Sequence, residues 1–316
     1  MKCHELCQEA FFDLFKPVFE EEVPEILPRL SAGVLGGGSD SLGADDELSR
    51  DHDWGIGQCR ILLPRDAVKQ HGPAVEKLLA AAVPDEYLGF PKEILRPEAI
   101  RVTTINEVYR SLCNLTHPPD TPSGWASADG SALGMATYGW VIYDPSGALM
   151  ERKRAFETAY YPEDVWKWKM AGVLWEIWQF GDYNGISRLA RRGDGVGLLI
   201  GQGQFVESVM RLVCMLNRRF SLFWKWLHWQ FAQMPRWSDV FEPLLQDLEE
   251  ASNHEQRGHR METICQGVRD ALHADGLLPD AEWRPAMGAH DLIRTIRSDE
   301  VRTLIRELDP KFGSDV

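Results

Sequence analysis

Three consecutive glycines and a serine, Gly36 to Ser39, directly follow the apolar residues 30–35. Gly37 and Gly38 lack a side chain that would keep a bound molecule away from the backbone. Ser39 is a residue type that begins helices, and the free N–H groups at a helix start can receive a phosphate. The run therefore predicts a strand, a tight turn and a helix start, with a phosphate-binding cradle at the turn.

Two aspartates, Asp51 and Asp53, follow this turn at the start of residues 51–63, which have the pattern of a strand. Side chains alternate along a strand, so this pattern places both carboxylates on one face and His52 and Trp54 on the other. Adjacent carboxylates repel each other unless a cation neutralises them. Mg²⁺ is usually held by one or two carboxylates together with substrate phosphates. The pair therefore predicts a site for Mg²⁺ (or Mn²⁺), and a metal beside a phosphate cradle is typical of phosphoryl transfer.

The alternative interpretation is a solvated acidic loop beside a glycine turn, because acidic residues are plentiful in this chain. The combined spacing and strand pattern favour a site for Asp51 and Asp53. For the other acids of the segment we expect an exposed loop: Asp40, Asp45, Asp46 and Glu47.

Predicted helices and strands alternate on both sides of this segment. Residues 3–22 predict an amphipathic helix, and residues 66–82 predict another, with Asp66 as candidate N-cap and a break at Gly72-Pro73. Residues 100–108 are rich in β-branched side chains and predict a third strand. This order predicts an α/β domain, namely a small mixed sheet with flanking helices.

The sequence of the second half predicts a helical bundle, so the expected fold class of the chain is α/β plus α. Residues 117–135 are dense in proline, glycine and serine, and residues 138–143 predict a short strand. Helical patterns then cover residues 163–179, 204–219, 222–233, 239–251, 255–273 and 290–308. A chain of 316 residues is long enough for two cores. We expect a first domain at residues 1–118, a linker with a short strand at 119–145, and a helical substrate domain at 146–316.

The composition excludes several classes of protein. The net charge of −14 argues against a long nucleic acid held by a basic surface. No run of ~18 uncharged apolar residues is present, so no membrane partner is expected. Six cysteines without CxxC pairing predict reduced thiols and a cytoplasmic protein. The sequence does not indicate the oligomeric state.

Eleven residues separate Gly38-Ser39 from Asp51-His52-Asp53. This layout resembles the polymerase-beta-like nucleotidyltransferase superfamily, which combines a Gly-Ser turn with an acid-x-acid strand about a dozen residues later. The resemblance implies that Ser39, with Gly37 and Gly38, binds the terminal phosphates of a nucleoside triphosphate, for which we expect ATP. It implies that Asp51 and Asp53 hold the metal ions.

A looser resemblance extends over most of residues 30–235, to a family of uncharacterised bacterial proteins with this domain before a helical one. It rests on residues 139–152, 160–166 and 216–226, and the overall plan is similar to that of antibiotic nucleotidyltransferases. Members of the superfamily usually have a third carboxylate on a neighbouring strand, as general base or metal ligand. The only acid in residues 100–108 is Glu107, so it is the first candidate, and Asp144 is the second.

Lys225 and Arg218 lie in an aromatic-rich stretch. Helical-domain cations of similar enzymes reach the triphosphate, so the resemblance implies nucleotide binding by both residues; the alternative is a solvated helix face. The nearby Trp224, Trp226 and Trp229 predict core packing. Two further sets of residues have two interpretations each. A helix start with packing, or a wall of the cleft, is expected for Tyr160, Tyr161 and Asp164. A wall of the cleft, or an ordinary turn, is expected for Asp144 and Arg152.

The expected reaction is Mg²⁺-dependent transfer of a nucleoside monophosphate from a triphosphate to a small-molecule acceptor. Two alternatives stay open. One is a toxin-like nucleotidyltransferase that modifies a protein or a tRNA. The other is a non-catalytic nucleotide-binding module, which the lack of a recognisable third acid favours.

Overall fold

A computed structural model of the chain describes residues 1–278 and 284–316. These residues form two compact units. The first unit comprises residues 1–118 and 132–159, and the second comprises residues 119–131 and 160–316. The boundary at Pro118 is the one that the sequence predicts. Residues 132–159 differ from the expected linker and helical domain, because they belong to the first unit and supply it with a strand and a helix.

The strands of the described residues are short: β1 (Ser31–Val34), β2 (Cys59–Leu62), β3 (Glu86–Tyr87), β4 (Phe90–Pro91), β5 (Val102–Thr103) and β6 (Trp140–Tyr143). The α-helices, in chain order, are α1 (Cys3–Ala10), α2 (Lys16–Glu22), α3 (Ser39–Leu42), α4 (Arg65–Ala82), α5 (Lys92–Leu95), α6 (Ile105–Cys113), α7 (Pro122–Ser127), α8 (Gly130–Ala136), α9 (Ala148–Thr158), α10 (Glu163–Ile177), α11 (Gly195–Leu216), α12 (Trp224–Phe231), α13 (Ser238–Glu249), α14 (His254–Ala274), α15 (Pro285–Arg294) and α16 (Asp299–Leu308).

The first unit is built on a mixed four-stranded sheet of order β5-β2-β1-β6. β1 is antiparallel to β2 and β6, whereas β2 and β5 are parallel. Val34 lies opposite Cys59 at one end of β1, which we name the Val34 end of the sheet. Ser31 lies opposite Leu62 at the other end, which we name the Ser31 end. The small mixed sheet of the predicted α/β domain is thereby confirmed.

The N-terminal helical segment packs its apolar face into the core of the first unit. Leu6, Ala10, Phe11 and Phe15 are completely buried, which confirms the predicted amphipathic pattern. The segment is not one regular α-helix, because residues 11–15 between α1 and α2 are π-helical. Pro17 follows this turn; proline lacks an N–H and crowds the preceding turn, and the wider π-turn accommodates it.

Helix α4 contradicts two details of the sequence interpretation. It runs unbroken through Gly72 and Pro73, because Ala67, Val75 and Leu79 are buried and this packing offsets the ~3 kcal/mol cost of an internal proline. Its N-cap is Pro64 rather than Asp66. The Asp66 carboxylate instead accepts two hydrogen bonds of 2.9 Å from Arg29.

The predicted strand at residues 100–108 is wrong over most of its length. Only Val102 and Thr103 pair with β2, and helix α6 begins at Ile105. The side chain of Thr104 accepts a hydrogen bond from the backbone N–H of Glu107, and the Glu107 carboxylate accepts one from the N–H of Thr104. This capping box satisfies the free donors of a helix start and ends the strand.

The second unit is helical, as the sequence predicts. The predicted helix boundaries agree to within two or three residues for α10, α13 and α14, whereas α11 begins nine residues earlier than predicted, at Gly195. The predicted helix at residues 290–308 is divided into α15 and α16. Buried indoles hold the unit together: Trp166 donates to the carbonyl oxygen of Met215 at 3.1 Å, and Trp168 donates to Asp309 at 3.0 Å.

All six cysteines are buried and unpaired, as expected from their spacing. Within residues 1–278 and 284–316, no helix has the length and apolar character needed to cross a membrane.

Candidate functional site

The turn after β1 has the predicted form. Gly38 is the N-cap of α3, with φ −88° and ψ 177°, and Ser39 is the first helical residue. The Ser41 hydroxyl lies 2.8 Å from the carbonyl oxygen of Gly36 and 2.9 Å from that of Gly38. These hydrogen bonds fix the backbone of the turn before any ligand arrives.

Side chains pack closely against two glycines of this turn. A Cβ atom on Gly38 would lie 2.5 Å from Asp40 Oδ1, and one on Gly37 would lie 2.4 Å from Met135 Sδ. Both distances are shorter than atoms can approach without displacement. The glycines therefore allow the chain to turn closely around the Asp40 carboxylate, in addition to leaving the turn accessible to a ligand.

Asp40 and Asp45 are buried, which contradicts their prediction as an exposed loop. Asp40 is 4% exposed and Asp45 is 2% exposed, whereas Asp46 and Glu47 are exposed as expected. Burial raises the pKa of Asp40 to about 6, and the negative charge of Asp53 adds to the shift. A buried carboxyl group with a perturbed pKa is a typical feature of functional sites.

Asp45 fixes the chain around the turn. Its Oδ2 accepts a hydrogen bond of 2.8 Å from the backbone N–H of Cys3 and one of 2.9 Å from the indole N–H of Trp54. The Nζ atom of Lys2 lies 4.0 Å from its Oδ1, and it also donates to the Asp45 carbonyl oxygen. These bonds connect helix α1 to the residues between the Gly-Ser turn and β2. The sequence offered no signal for this role, because the partners are up to 43 residues away.

Asp51 and Asp53 do not lie on a strand, so the predicted strand at residues 51–63 is wrong at its start. Asp51 ends a 3₁₀ turn, Asp53 has φ +49°, and β2 begins only at Cys59. The reason is that residues 51–58 lack a neighbouring strand to pair with. β1 leaves the sheet after Val34, the partner of Cys59, so the residues before Cys59 have no neighbouring strand.

His52 lies between the two carboxylates instead of on the opposite face. Its Nδ1 is 2.5 Å from Asp51 Oδ1, and its Nε2 is 4.0 Å from Asp53 Oδ2. The hydrogen bond from His52 lowers the pKa of Asp51. Both carboxylates are open to solvent, with side chains 70% and 77% exposed. The carboxylates of Asp51 and Asp53 are therefore accessible, as ligands of a hard cation must be.

The third carboxylate that the sequence predicts does not lie at this end of the sheet. Glu107 follows β5 at the Ser31 end, on a helix rather than a strand, and its Oε2 accepts hydrogen bonds from Thr103 and Thr104. The Thr103 hydroxyl is the main cause of the lowered pKa of Glu107. Asp144 also lies at the Ser31 end, where it accepts a hydrogen bond of 2.8 Å from Ser31 and another of 2.8 Å from the N–H of Met150. The Val34 and Ser31 ends are separated by the length of β1, roughly 10 Å.

The residue that precedes β5, on the side of the Val34 end, is basic. β5 is parallel to β2, and the residue before Val102 is Arg101, whose guanidinium donates to the carbonyl oxygens of Glu98 and Ile100. The acid that the structure brings to this end is Asp40. Within the described residues, no group of three or more His, Cys, Asp or Glu side chains has a geometry that could hold a metal ion.

Lys225 and Arg218 both lie in the second unit. Arg218 has φ +53°, pairs with Glu163 at 2.8 Å, and its guanidinium lies 3.4 Å from the centroid of the Trp166 ring. Lys225 is exposed at the start of α12, with its Nζ 5.3 Å from the ring of Trp226. Lys225 is therefore open to an anion, whereas Arg218 is engaged within its own unit.

The other aromatic and acidic candidates of the second unit are structural. Asp164 accepts hydrogen bonds from the N–H groups of Arg297 and Ser298, just before α16. Tyr160 and Tyr161 pack against Phe220 with ring centroids 4.8 and 5.0 Å apart. Of the three tryptophans expected in the core, Trp224 is 76% exposed, and Trp226 and Trp229 are partly buried.

Comparison with known proteins gives one similarity. Residues 125–227 match a family described as a domain of unknown function (DUF4037). The matched part begins in α7 and ends in α12, so it excludes Gly38, Ser39, Asp51 and Asp53. No curated protein matches the chain. The chain is thus similar to the DUF4037 family over about a third of its length, and the three stretches at residues 139–152, 160–166 and 216–226 lie inside that part.

Proposed function

We propose that the first unit carries a Mg²⁺-dependent nucleotidyltransferase site at the Val34 end of its sheet. It transfers a nucleoside monophosphate from a nucleoside triphosphate, with ATP as the expected substrate, to a small-molecule acceptor. The observation that carries the proposal is the turn where Gly38 and Ser39 begin a helix that contains the buried Asp40, followed along the chain by the exposed carboxylates of Asp51 and Asp53. A fixed turn, a helix start and acidic groups on one side are what a metal-bound triphosphate requires.

The donor atoms of the site fit magnesium. Asp51 and Asp53 offer exposed carboxylate oxygens, and two carboxylates with substrate phosphates form a common magnesium environment. Asp40 is ionised above pH about 6 and then adds a third negative charge near Asp53. When bound, the ion neutralises the triphosphate and stabilises charge on the leaving pyrophosphate.

The residues of the chain hold and orient the substrate. Gly37 and Gly38 let the phosphates approach the backbone of the turn, and the N–H groups at the start of α3 face them. His52 holds the Asp51 carboxylate in one orientation through its hydrogen bond. Ser41 holds the turn itself. Because the parts are positioned before substrate binds, little of the binding energy is lost in ordering them.

A second candidate function is a nucleotide-binding module without turnover. Arg101 favours it, because the residue that precedes β5, on the side of the Val34 end, is an arginine and not a carboxylate. Transfer to an acceptor hydroxyl needs a proton acceptor, and Asp40 is almost completely buried.

Label transfer from α-phosphate-labelled ATP separates these functions. The full chain is incubated with Mg²⁺ and with three groups of acceptors: hydroxyl- and amine-bearing small molecules, tRNA, and proteins. We expect label on a small molecule with release of pyrophosphate, and loss of at least about 100-fold in Asp51→Asn and Asp53→Asn. Glu47→Gln, an exposed acid of the same loop, is the matched control and keeps the wild-type rate.

Each contrary result has a definite meaning. Label on tRNA or protein alone would replace the small-molecule acceptor with the toxin-like alternative. Nucleotide binding without label on any acceptor would support the module without turnover. Equal activity of wild type and Asp53→Asn would overturn the proposed site.

A further inference from the structure

A second site lies at the Ser31 end of the sheet. A cavity of about 780 Å³ opens there, and all of its walls belong to the first unit. It is formed by the first residue of β1, the last residue of β2, and the starts of α4, α6 and α9. The Gly-Ser turn and Asp53 lie at the opposite end, so the proposed nucleotidyltransferase site does not use this cavity.

The cavity is positively charged in a strongly acidic chain. Four arginines line it, and the lining acids are Glu107 and Glu151. Arg29 is paired with Asp66, and the Glu107 carboxylate is occupied by Thr103 and Thr104. The other three lining arginines make no ion pair with a carboxylate of residues 1–278 or 284–316: Arg65, Arg110 and Arg152. The three guanidinium groups without a carboxylate partner make the charge around this cavity positive, whereas the net charge of the whole chain is −14.

Arg152 is the most informative of the three. It is partly buried, donates to Asn106 Oδ1 at 2.9 Å, and lies 5.8 Å from the ring centroid of Tyr109. Burial lowers its pKa, which shows that the surroundings disfavour its charge. Tyr109 and Glu151 oppose this shift without cancelling it, and a partly buried cation stays costly until an anion compensates it.

Three helices begin at the cavity. α4, α6 and α9 have 18, 9 and 11 residues, and each begins at the wall of the cavity. The N-terminal end of a helix carries a partial positive charge and attracts anions. Carboxylates of the chain already occupy these ends: Glu107 caps α6, Asp144 accepts from the N–H of Met150 in α9, and Asp66 accepts from backbone N–H groups at the start of α4. The positive charge of the cavity therefore comes from its arginines.

We propose that this cavity binds a small phosphorylated molecule with two or more negative charges. Arg110 and Arg152 supply guanidinium forks, which match the paired oxygens of a phosphate group, and Arg65 adds charge at the start of α4. A volume of about 780 Å³ accommodates a ligand of nucleotide size. The site lies apart from the magnesium-dependent one. Because its arginines bind the ligand directly, the ligand needs no divalent cation.

Calorimetry with inorganic pyrophosphate tests this site on the full chain, with EDTA present so that no magnesium-dependent binding contributes. Wild type is expected to bind, and Arg110→Gln/Arg152→Gln is expected to bind at least about tenfold more weakly. Arg65→Gln, at an exposed position, gives a smaller loss and serves as a variant with little risk to folding. Arg101→Gln, outside the cavity, and Asp53→Asn both keep wild-type affinity.

Several results would overturn the proposal. One is the absence of binding heat from wild type up to about 10 mM pyrophosphate. Another is a loss of pyrophosphate affinity in Arg101→Gln equal to that in the cavity variants. Equal affinity for citrate would overturn the preference for phosphate. Because Asp53→Asn removes the proposed catalytic site and spares this one, the two proposals fail separately.

Discussion

Asp45 shows how one buried carboxylate can organise a loop. It joins the N–H of Cys3 to the indole of Trp54, and Trp54 is 1% exposed. Both donors are buried with it. If the acceptor is removed, they lose their partner in a place that water does not reach, and each buried donor without a partner costs about 1–3 kcal/mol.

Asp45→Ala is therefore expected to lower the free energy of unfolding by about 2–4 kcal/mol. Urea unfolding followed by tryptophan fluorescence measures the change. Glu47→Ala, two residues later and exposed, is the control and should stay within about 0.5 kcal/mol of wild type. Equal effects of the two substitutions would contradict the anchoring role of Asp45.

Asp40 is expected to reduce stability as the pH rises. Its pKa is about 6 in the folded chain against an ordinary value of 3.8, so the folded state holds the proton more tightly than the unfolded state does. Ionisation thus opposes folding. The penalty is absent below pH about 4 and complete above pH about 6.

In EDTA, Asp40→Asn should be more stable than wild type by about 1–3 kcal/mol at pH 7.5. The difference should shrink as the pH falls towards 4. Urea unfolding at a series of pH values measures it, with the exposed Asp46→Asn as control. A stability difference that does not change with pH would show that burial of Asp40 does not raise its pKa.

At the scale of elements, the start of α6 decides what Glu107 does. Its carboxylate completes a capping box with Thr104 and accepts a further hydrogen bond of 2.8 Å from Thr103. These contacts give the Glu107 carboxylate a structural role at the start of the helix. They also end β5 after two residues.

Thr104→Ala is expected to cost about 1 kcal/mol, because the N–H of Glu107 loses its acceptor. Glu107→Gln should cost less, since glutamine also serves in a capping box. Neither substitution should change label transfer from ATP at saturating substrate. A collapse of turnover in Glu107→Gln with stability unchanged would restore Glu107 as the catalytic base.

The helices of the second unit could be predicted from sequence because their signal is local. Apolar residues recur along α10, α13 and α14 with the helical period. The extents of β2 and β5 could not be predicted in the same way. β2 is limited by the point where β1 departs, and β1 precedes it by 25 residues. β-branched residues at 102–104 favour a strand, yet the chain becomes a helix where its capping box forms.

The Gly-Ser helix start was predicted because glycine and serine act on their own backbone. The burial of Asp45 was not predictable, since it depends on contacts with Cys3 of α1 and with Trp54 that the fold creates. The same holds for the arginine-lined cavity. Its arginines come from positions 29, 65, 110 and 152, and only the meeting of β1, β2, α4, α6 and α9 brings them together.

At the scale of the whole molecule, we propose two anion-directed sites at opposite ends of one small sheet in the first unit. At the Val34 end, the exposed acids would need a cation before a phosphate could bind. At the Ser31 end, the arginines would bind an anion directly. The two sites should therefore respond oppositely to magnesium, which distinguishes them in a single protein.

Calorimetry of ATP binding, with Mg²⁺ and then with EDTA, tests the central claim most directly. Wild type should bind ATP with a magnesium-dependent component, and Asp51→Asn and Asp53→Asn should lose that component. Arg110→Gln/Arg152→Gln and Glu47→Gln should retain it. Wild-type binding that is indifferent to magnesium, or a magnesium-dependent component that survives in Asp53→Asn, would contradict the assignment of Gly38, Ser39, Asp51 and Asp53 as a metal-dependent nucleotide site.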